Sequence, residues 1–214
     1  MLGNKMTFSG AQGDDSTRDR ILFEATRLIA QKGYAALSMR ELANVIGIKP
    51  SSLYHHFEGK EALMDAILDN VSELYSAYFA RLEEANRNAK SFEEILDNMF
   101  LELKTIVSIH IFYGFSVVMT EQFLMEKAGK IFLDVFNKYS IESIQRTFDD
   151  CVKRKIVPAF DTVSAANLLM NTVWVTNELR VHEDLGHPLP YDLNENFDRV
   201  KAFLLAAAEN GIGA

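Results

Sequence analysis

The sequence predicts an all-α protein: an N-terminal three-helix domain containing a helix-turn-helix, followed by a larger helical domain. Three observations carry that prediction. Apolar residues recur at helical spacing along nearly the whole chain, and no stretch alternates apolar and polar residues long enough to make a strand. The 214 residues are 48% hydrophobic and 24% charged, with 11 Gly and 4 Pro, a balance that suits a packed core and excludes a fibrous or disordered chain. A tight sequence of helix caps and turn residues between Ser38 and Phe57 marks two short helices joined by a Gly turn.

The first helix begins near Ser16 or Thr17, either of which is a suitable cap, and buries Ile21, Ala25, Leu28 and Ile29 before ending at Gly33. The second opens on a capping box, in which the Ser38 hydroxyl takes a free N–H of the first turn and the Glu41 carboxylate reaches back. Its inward residues are Leu42, Ala43 and Ile46. Gly47 stands where the chain must reverse, a position that favours a residue without a Cβ, and Ile48 pins the turn. Pro50 suits the first turn of the third helix, where its missing N–H costs nothing.

Further helices follow from three apolar stripes: Phe92, Ile95, Leu96, Met99, Phe100, Leu103; then Phe132, Val135, Phe136, Tyr139, Ile144, Phe148; then Phe197, Val200, Phe203, Leu204. Two segments, Thr105 to Thr120 and Thr162 to Asn177, run 16 residues each without a formal charge. A membrane span needs about 20 such residues, so the expectation is helices buried in protein and no membrane insertion.

The formal net charge of -8 speaks against nucleic acid only when averaged over the chain. Residues 1–67 hold 8 basic and 8 acidic side chains, so the whole excess of acid lies in residues 68–214. Two regions of different electrostatics suggest two tasks. The division expected is a flexible tail over 1–15, a helix-turn-helix domain over 16–67 and a helical domain over 68–214. The first fifteen residues lack the basic start and apolar run of a secretory signal, and the one cysteine, Cys151, has no partner for a disulfide, so a cytoplasmic location is expected. No Gly-x-Ser-x-Gly elbow, phosphate-cradling Gly loop or His-Glu-x-x-His is present, which argues against an enzyme.

The third helix carries the chemistry. At about 100° per residue from Leu53, Pro50, His56 and Phe57 fall within about 60° of the core direction, while Ser51 and His55 point about 160° away with Ser52 and Tyr54 flanking them. Hydroxyls, a phenol, an imidazole and Lys49 at a helix N-terminus suit phosphates and base edges, and Gly59-Lys60 brings another cation to the next helix start. His56, on the inner side, reads as a packed histidine. Arg18 and Arg20, with Lys5 in the tail, are either a solvated helix start or an arm for a minor groove.

Residues 17–68 resemble the DNA-binding domain of the tetracycline-repressor (TetR) family. The resemblance lies in Gln31-Lys32-Gly33-Tyr34, Ser38-Met39-Arg40-Glu41-Leu42-Ala43, Gly47-Ile48 and Leu53-Tyr54-His55-His56-Phe57 with Lys60 and Leu63, about a quarter of the chain. Met39 departs from it, since many members carry a small polar residue there. The resemblance implies phosphate contacts from Ser38, Arg40, Tyr54 and Lys60, and base or phosphate contacts from Lys49, Ser51, Ser52 and His55. It also implies that the remainder is a ligand-binding and dimerisation domain. Its last two helices, near 162–183 and 192–209, would pair with a second copy through Leu168, Val175, Phe197, Phe203 and Leu204.

The function so implied is a ligand-responsive repressor that binds a palindromic DNA operator as a homodimer and is released by a small, lipophilic effector. The competing reading is a small-molecule or partner-protein binding module without sequence-specific DNA binding. His110, Tyr113 and Phe115 in the first uncharged segment, and Asn171, Trp174 and Glu178 in the second, are candidates for a pocket wall, with core packing as the alternative. His182, Glu183, Asp184 and His187 are metal-binding types at a spacing that fits no strong motif, so neither metal nor cofactor is expected. Cys151 beside Lys153, Arg154 and Lys155 reads as an inert thiol or, with a lowered pKa, a redox sensor.

Overall fold

The computed structural model describes residues 17–105 and 109–213, with the side chains of 101–110 excepted. The tail over 1–15 with its Lys5, the Ser16 cap, and the side chains of Leu103 and His110 lie outside the described residues. Among the described residues there are ten α-helices and no strand: α1 (Thr17–Lys32), α2 (Met39–Ile46), α3 (Pro50–His56), α4 (Lys60–Asn86), α5 (Phe92–Thr105), α6 (Ile109–Glu121), α7 (Glu126–Ile131), α8 (Ser140–Lys153), α9 (Thr162–Asp184) and α10 (Leu193–Glu209). The chain packs as two compact units. The first holds α1 to α3, α4 as far as Leu74, α6 and α7; the second holds α4 from Tyr75, α5, and the chain from Leu133 onward. Both this break and the boundary read between residues 67 and 68 fall inside the 27-residue helix α4.

In the first unit, Ile21, Leu22, Ala25 and Ile29 of α1 are buried, as are Leu42, Ala43 and Ile46 of α2, Leu53 of α3 and Leu63, Met64 and Ile67 of α4. Helix α6 packs along α1, with the Phe23 and Tyr113 rings 6.5 Å apart. From Ile111 to Val118 it is buried on every side, as its lack of charge predicts. Gly114 lets α6 come close to α4: a Cβ there would lie 2.7 Å from Val71 Cγ2. At the end of α6, Glu121 is 6% exposed and its Oε1 accepts the backbone N–H of Tyr34 at 2.9 Å, tying the α1–α2 turn to α6.

The second unit is built on aromatic contacts. Phe92, Phe148 and Phe160 cluster with ring centres 5.1 to 6.1 Å apart, and Phe100 packs on Phe197 at 5.1 Å. Ser143 and Arg146 of α8 both donate to the Glu83 carboxylate of α4, at 2.5 and 2.6 Å. Asp161 and Asp192 cap α9 and α10, accepting N–H groups of Ser164 at 3.0 Å and Asn194 at 2.7 Å.

Three expectations are corrected here. The stretch Phe132–Tyr139, read from its stripe as an ordinary helix, is wound in wide π turns, with Ser140 Oγ donating to the Val135 carbonyl at 2.7 Å. Helix α9, read as buried all round, exposes Val163, Leu168, Asn171 and Val175. Phe197 and Leu204, read as contacts for a second copy, belong to the core of their own chain, because the face of α10 that carries them is the one packed on α5 and α9.

Candidate nucleic-acid interface and effector cavity

The helix-turn-helix is held by local hydrogen bonds. Ser38 is extended, at φ -118° and ψ 140°, and its Oγ accepts the Glu41 N–H at 3.1 Å. The second half of the expected capping box is replaced: the Glu41 carboxylate pairs with Lys32 of α1, a cation within reach, instead of reaching back to Ser38. Gly47 adopts φ 79°, ψ 30°, and the Gly47 N–H bonds to the Asn44 carbonyl at 3.2 Å while the Ile48 N–H bonds to Ala43 at 3.0 Å, a Schellman closure. Pro50 then opens α3.

This turn sets the face of α3. Leu53 and Phe57 are buried, while Lys49, Ser51, Ser52, Tyr54 and His55 are exposed, Tyr54 by 53%. The side chains predicted to meet DNA therefore share one exposed edge, with Ser38 and Arg40 exposed at the start of α2. His56 and Pro50 are corrected: both are exposed, because α3 is only seven residues long and is anchored through Leu53 and the residue beyond its end, Phe57. Lys60 is already engaged, its Nζ donating to the Ala35 carbonyl at 3.1 Å and standing 4.3 Å from the centre of the Tyr34 ring. Burial, and then the carboxylates of Glu61, Asp65 and Glu121, push the Tyr34 phenol above its ordinary pKa. Arg18 lies over the Phe57 ring at 5.2 Å and Arg20 donates to the Ile46 carbonyl at 3.1 Å, so both brace the domain.

The sequence candidates for an effector pocket are dispersed. Tyr113 and Phe115 are packed in the core of the first unit; in the second, Trp174 and Glu178 are half-buried and Asn171 is exposed. A small cavity does exist in the second unit, lined by Tyr78, Phe79 and Leu82 of α4, Met99 of α5, Ile144 of α8, and Leu169, Met170 and Val173 of α9. None of these carries a formal charge. They escaped sequence reasoning because apolar residues at helical spacing are indistinguishable from core.

At one end of this cavity the same two helices turn polar. Tyr75, one turn before Tyr78 and Phe79, accepts a hydrogen bond from Asn177 Nδ2 at 3.3 Å, and Asn177 lies one turn beyond Val173. Burial pushes the Tyr75 phenol well above its ordinary pKa, so it keeps its proton; its ring stacks 4.2 Å from Phe136 in the π turns. Thr176 beside it is 5% exposed, and its Oγ1 has no hydrogen-bond partner.

Among the described residues no group of three or more His, Cys, Asp or Glu is arranged to hold a metal; His182 and His187 merely approach ring to ring at 5.6 Å. Nor is any described helix long and apolar enough to cross a membrane. Cys151 is fully buried and donates to the Thr147 carbonyl at 3.1 Å. Burial, followed by the Asp150 charge, pushes its thiol up to about 11, against the redox-sensor reading.

Comparison with known proteins agrees with the helix-turn-helix geometry. Residues 21–67 match the family model of bacterial regulatory proteins, tetR family. The transcriptional repressor KstR2 of Rhodococcus jostii is 37% identical over 67 residues, 31% of this chain and 33% of that protein. The transcriptional regulator UidR of Escherichia coli is 42% identical over 52 residues, 24% of this chain and 26% of that one. The matches thus span only about a third or less of these curated relatives. The fold likeness is longer: the ketosteroid transcriptional regulator KstR2 of Mycobacterium tuberculosis superposes with a TM-score of 0.63 over 92% of this chain and 96% of that one, at 19% identity. With a turn of this geometry inside a matching model, and an all-helical remainder that superposes on such a regulator, the chain belongs to the tetR family of bacterial regulatory proteins.

Proposed function

We propose that this protein is a transcriptional repressor that binds a palindromic operator as a homodimer and leaves it when a small lipophilic effector occupies the second unit. The observation that carries the reading is the exposed edge of α3, where Lys49, Ser51, Ser52, Tyr54 and His55 share one face with no apolar side chain among them. A helix N-terminus bearing a cation and short donors is suited to phosphate and to base edges in a major groove. Dimerisation has its own support: α9 and α10 pack together and expose Leu168, Val175 and Phe203, the last two by 51% and 58%. Two heads paired in this way would read half-sites one helical turn apart, about 34–36 Å, or a multiple of it.

Selection from randomised duplex DNA should enrich a palindrome. Against that site, Lys49→Ala should weaken binding for all sequences alike and lower the salt slope by about 1, the signature of a lost phosphate contact. Replacing Ser51 or His55 by Ala should instead relax preference at particular base pairs, by about 1–3 kcal/mol each where a base is read. No enriched site, or binding indifferent to Lys49 and Tyr54, would favour the binding-module reading.

A further inference from the structure

The cavity between α4, α5, α8 and α9 is small and wholly apolar over its body, with Met99 and Met170 among its lining. Unbranched thioether side chains repack easily, so a space closed around two of them can open for a guest. No lysine, arginine, aspartate or glutamate lines it, and an ion moved there would lose its hydration without a counter-charge, a cost of several kcal/mol or more. The body therefore selects for neutral hydrocarbon.

The far end selects for something else. One helical turn along α4 and α9, about 5.4 Å, the wall becomes Tyr75, Thr176 and Asn177. The Asn177 amide and Tyr75 phenol already meet at 3.3 Å, and the phenol, in accepting, retains its own proton to donate. Thr176 has a hydroxyl 95% buried with its hydrogen-bonding capacity unspent, a state that is costly unless a guest satisfies it. The π turns behind Tyr75 add to the case, since such turns recur at functional sites and here they press Phe136 against the Tyr75 ring.

We infer that the effector is an uncharged lipophile bearing a hydroxyl or carbonyl group, its hydrocarbon body between α4, α5, α8 and α9 and its polar group held by Thr176, Asn177 and Tyr75. This rests on the reading of the second unit as the effector domain. It sets apart alcohols and ketones from carboxylates and alkylammonium ions of the same chain length, which the apolar body would reject.

The test uses the full-length chain and five probes: toluene, 1-octanol, 2-octanone, octanoate and octylammonium. Binding is followed by titration calorimetry and by the methyl resonances of Met99 and Met170 in ¹³C-methyl-methionine protein, identified through Met99→Leu and Met170→Leu. The expected result is that toluene, the alcohol and the ketone shift both methionines. Octanol should bind at least about 30-fold more tightly than octanoate or octylammonium, given the cost of burying a charge. Thr176→Val should weaken octanol about 3- to 10-fold, the worth of one hydrogen bond, leave toluene unchanged, and be rescued by Thr176→Ser. If toluene binds but octanoate matches octanol, or Thr176→Val leaves octanol unaffected, the polar-end assignment is overturned while the cavity reading stands. If no probe moves either methionine, the cavity reading itself falls.

Discussion

Gly114 shows how one missing methyl group can set the approach of two helices. With a Cβ 2.7 Å from Val71 Cγ2, Gly114→Ala forces either the valine or the helix to move, and overpacking of this kind costs about 1–3 kcal/mol. The expected outcome is a lowered urea midpoint for Gly114→Ala that is largely recovered in the double variant with Val71→Ala; additive losses would show that the two residues do not share this contact. Cys151 gives a second prediction at the same scale. With its thiol pushed up to about 11, the thiolate is a small fraction at pH 8, so a thiol reagent should modify the folded protein very slowly and the urea-unfolded chain at once. Rapid reaction of the native protein at pH 8 would return Cys151 to the redox-sensor reading. The run of Lys153, Arg154 and Lys155 misled the sequence reading because charge adjacency along a chain ignores burial; Arg154 in fact donates to the Arg87 and Ala89 carbonyls.

At the scale of elements, what was legible in sequence was what is decided locally. The α2–α3 turn is specified within some twenty residues by a cap, a left-handed glycine and a helix-starting proline, each acting on its own neighbours, and all three stand where they were read. Ser38→Ala should accordingly cost about 1 kcal/mol by denaturant melting, the usual worth of an N-cap, while Ser38→Asp should retain the stability and lose operator affinity if the same hydroxyl faces a phosphate. Which face of a helix is buried when partners lie on two sides is not local information. Phe197, Phe203 and Leu204 occupy one apolar stripe of α10, yet only Phe197 and Leu204 point into the chain's own core, and Phe203 points out. The same limit hid the cavity: Leu169, Met170 and Val173 carry the spacing of any packed helix, and only the positions of α4, α5 and α8 turn them into a lining. The π turns of Phe132–Tyr139 leave no composition signal at all, since a stripe at 3.6 spacing tolerates one widened turn.

At the scale of the whole molecule, electrostatics and assembly become one question. The excess acid lies wholly in residues 68–214, so attraction to DNA must come from the few cations of the neutral N-terminal third, and a single head has too few to bind tightly at physiological salt. Two heads on one duplex double the phosphates neutralised, and the slope of log affinity against log salt counts them at about 0.9 per contact. Dimerisation is therefore readable in the salt slope as well as in the mass. Val175 and Phe203 are exposed, uncharged and apolar, so replacing both by Gln alters neither the core nor the charge. If they form the contact between copies, the double variant should sediment as a monomer, keep its unfolding midpoint, and bind the selected operator with about half the salt slope of the parent. A monomer with an unchanged slope would mean that the heads do not act as a pair. An unchanged dimer would place the contact elsewhere and leave Val175 and Phe203 as exposed apolar positions with another role.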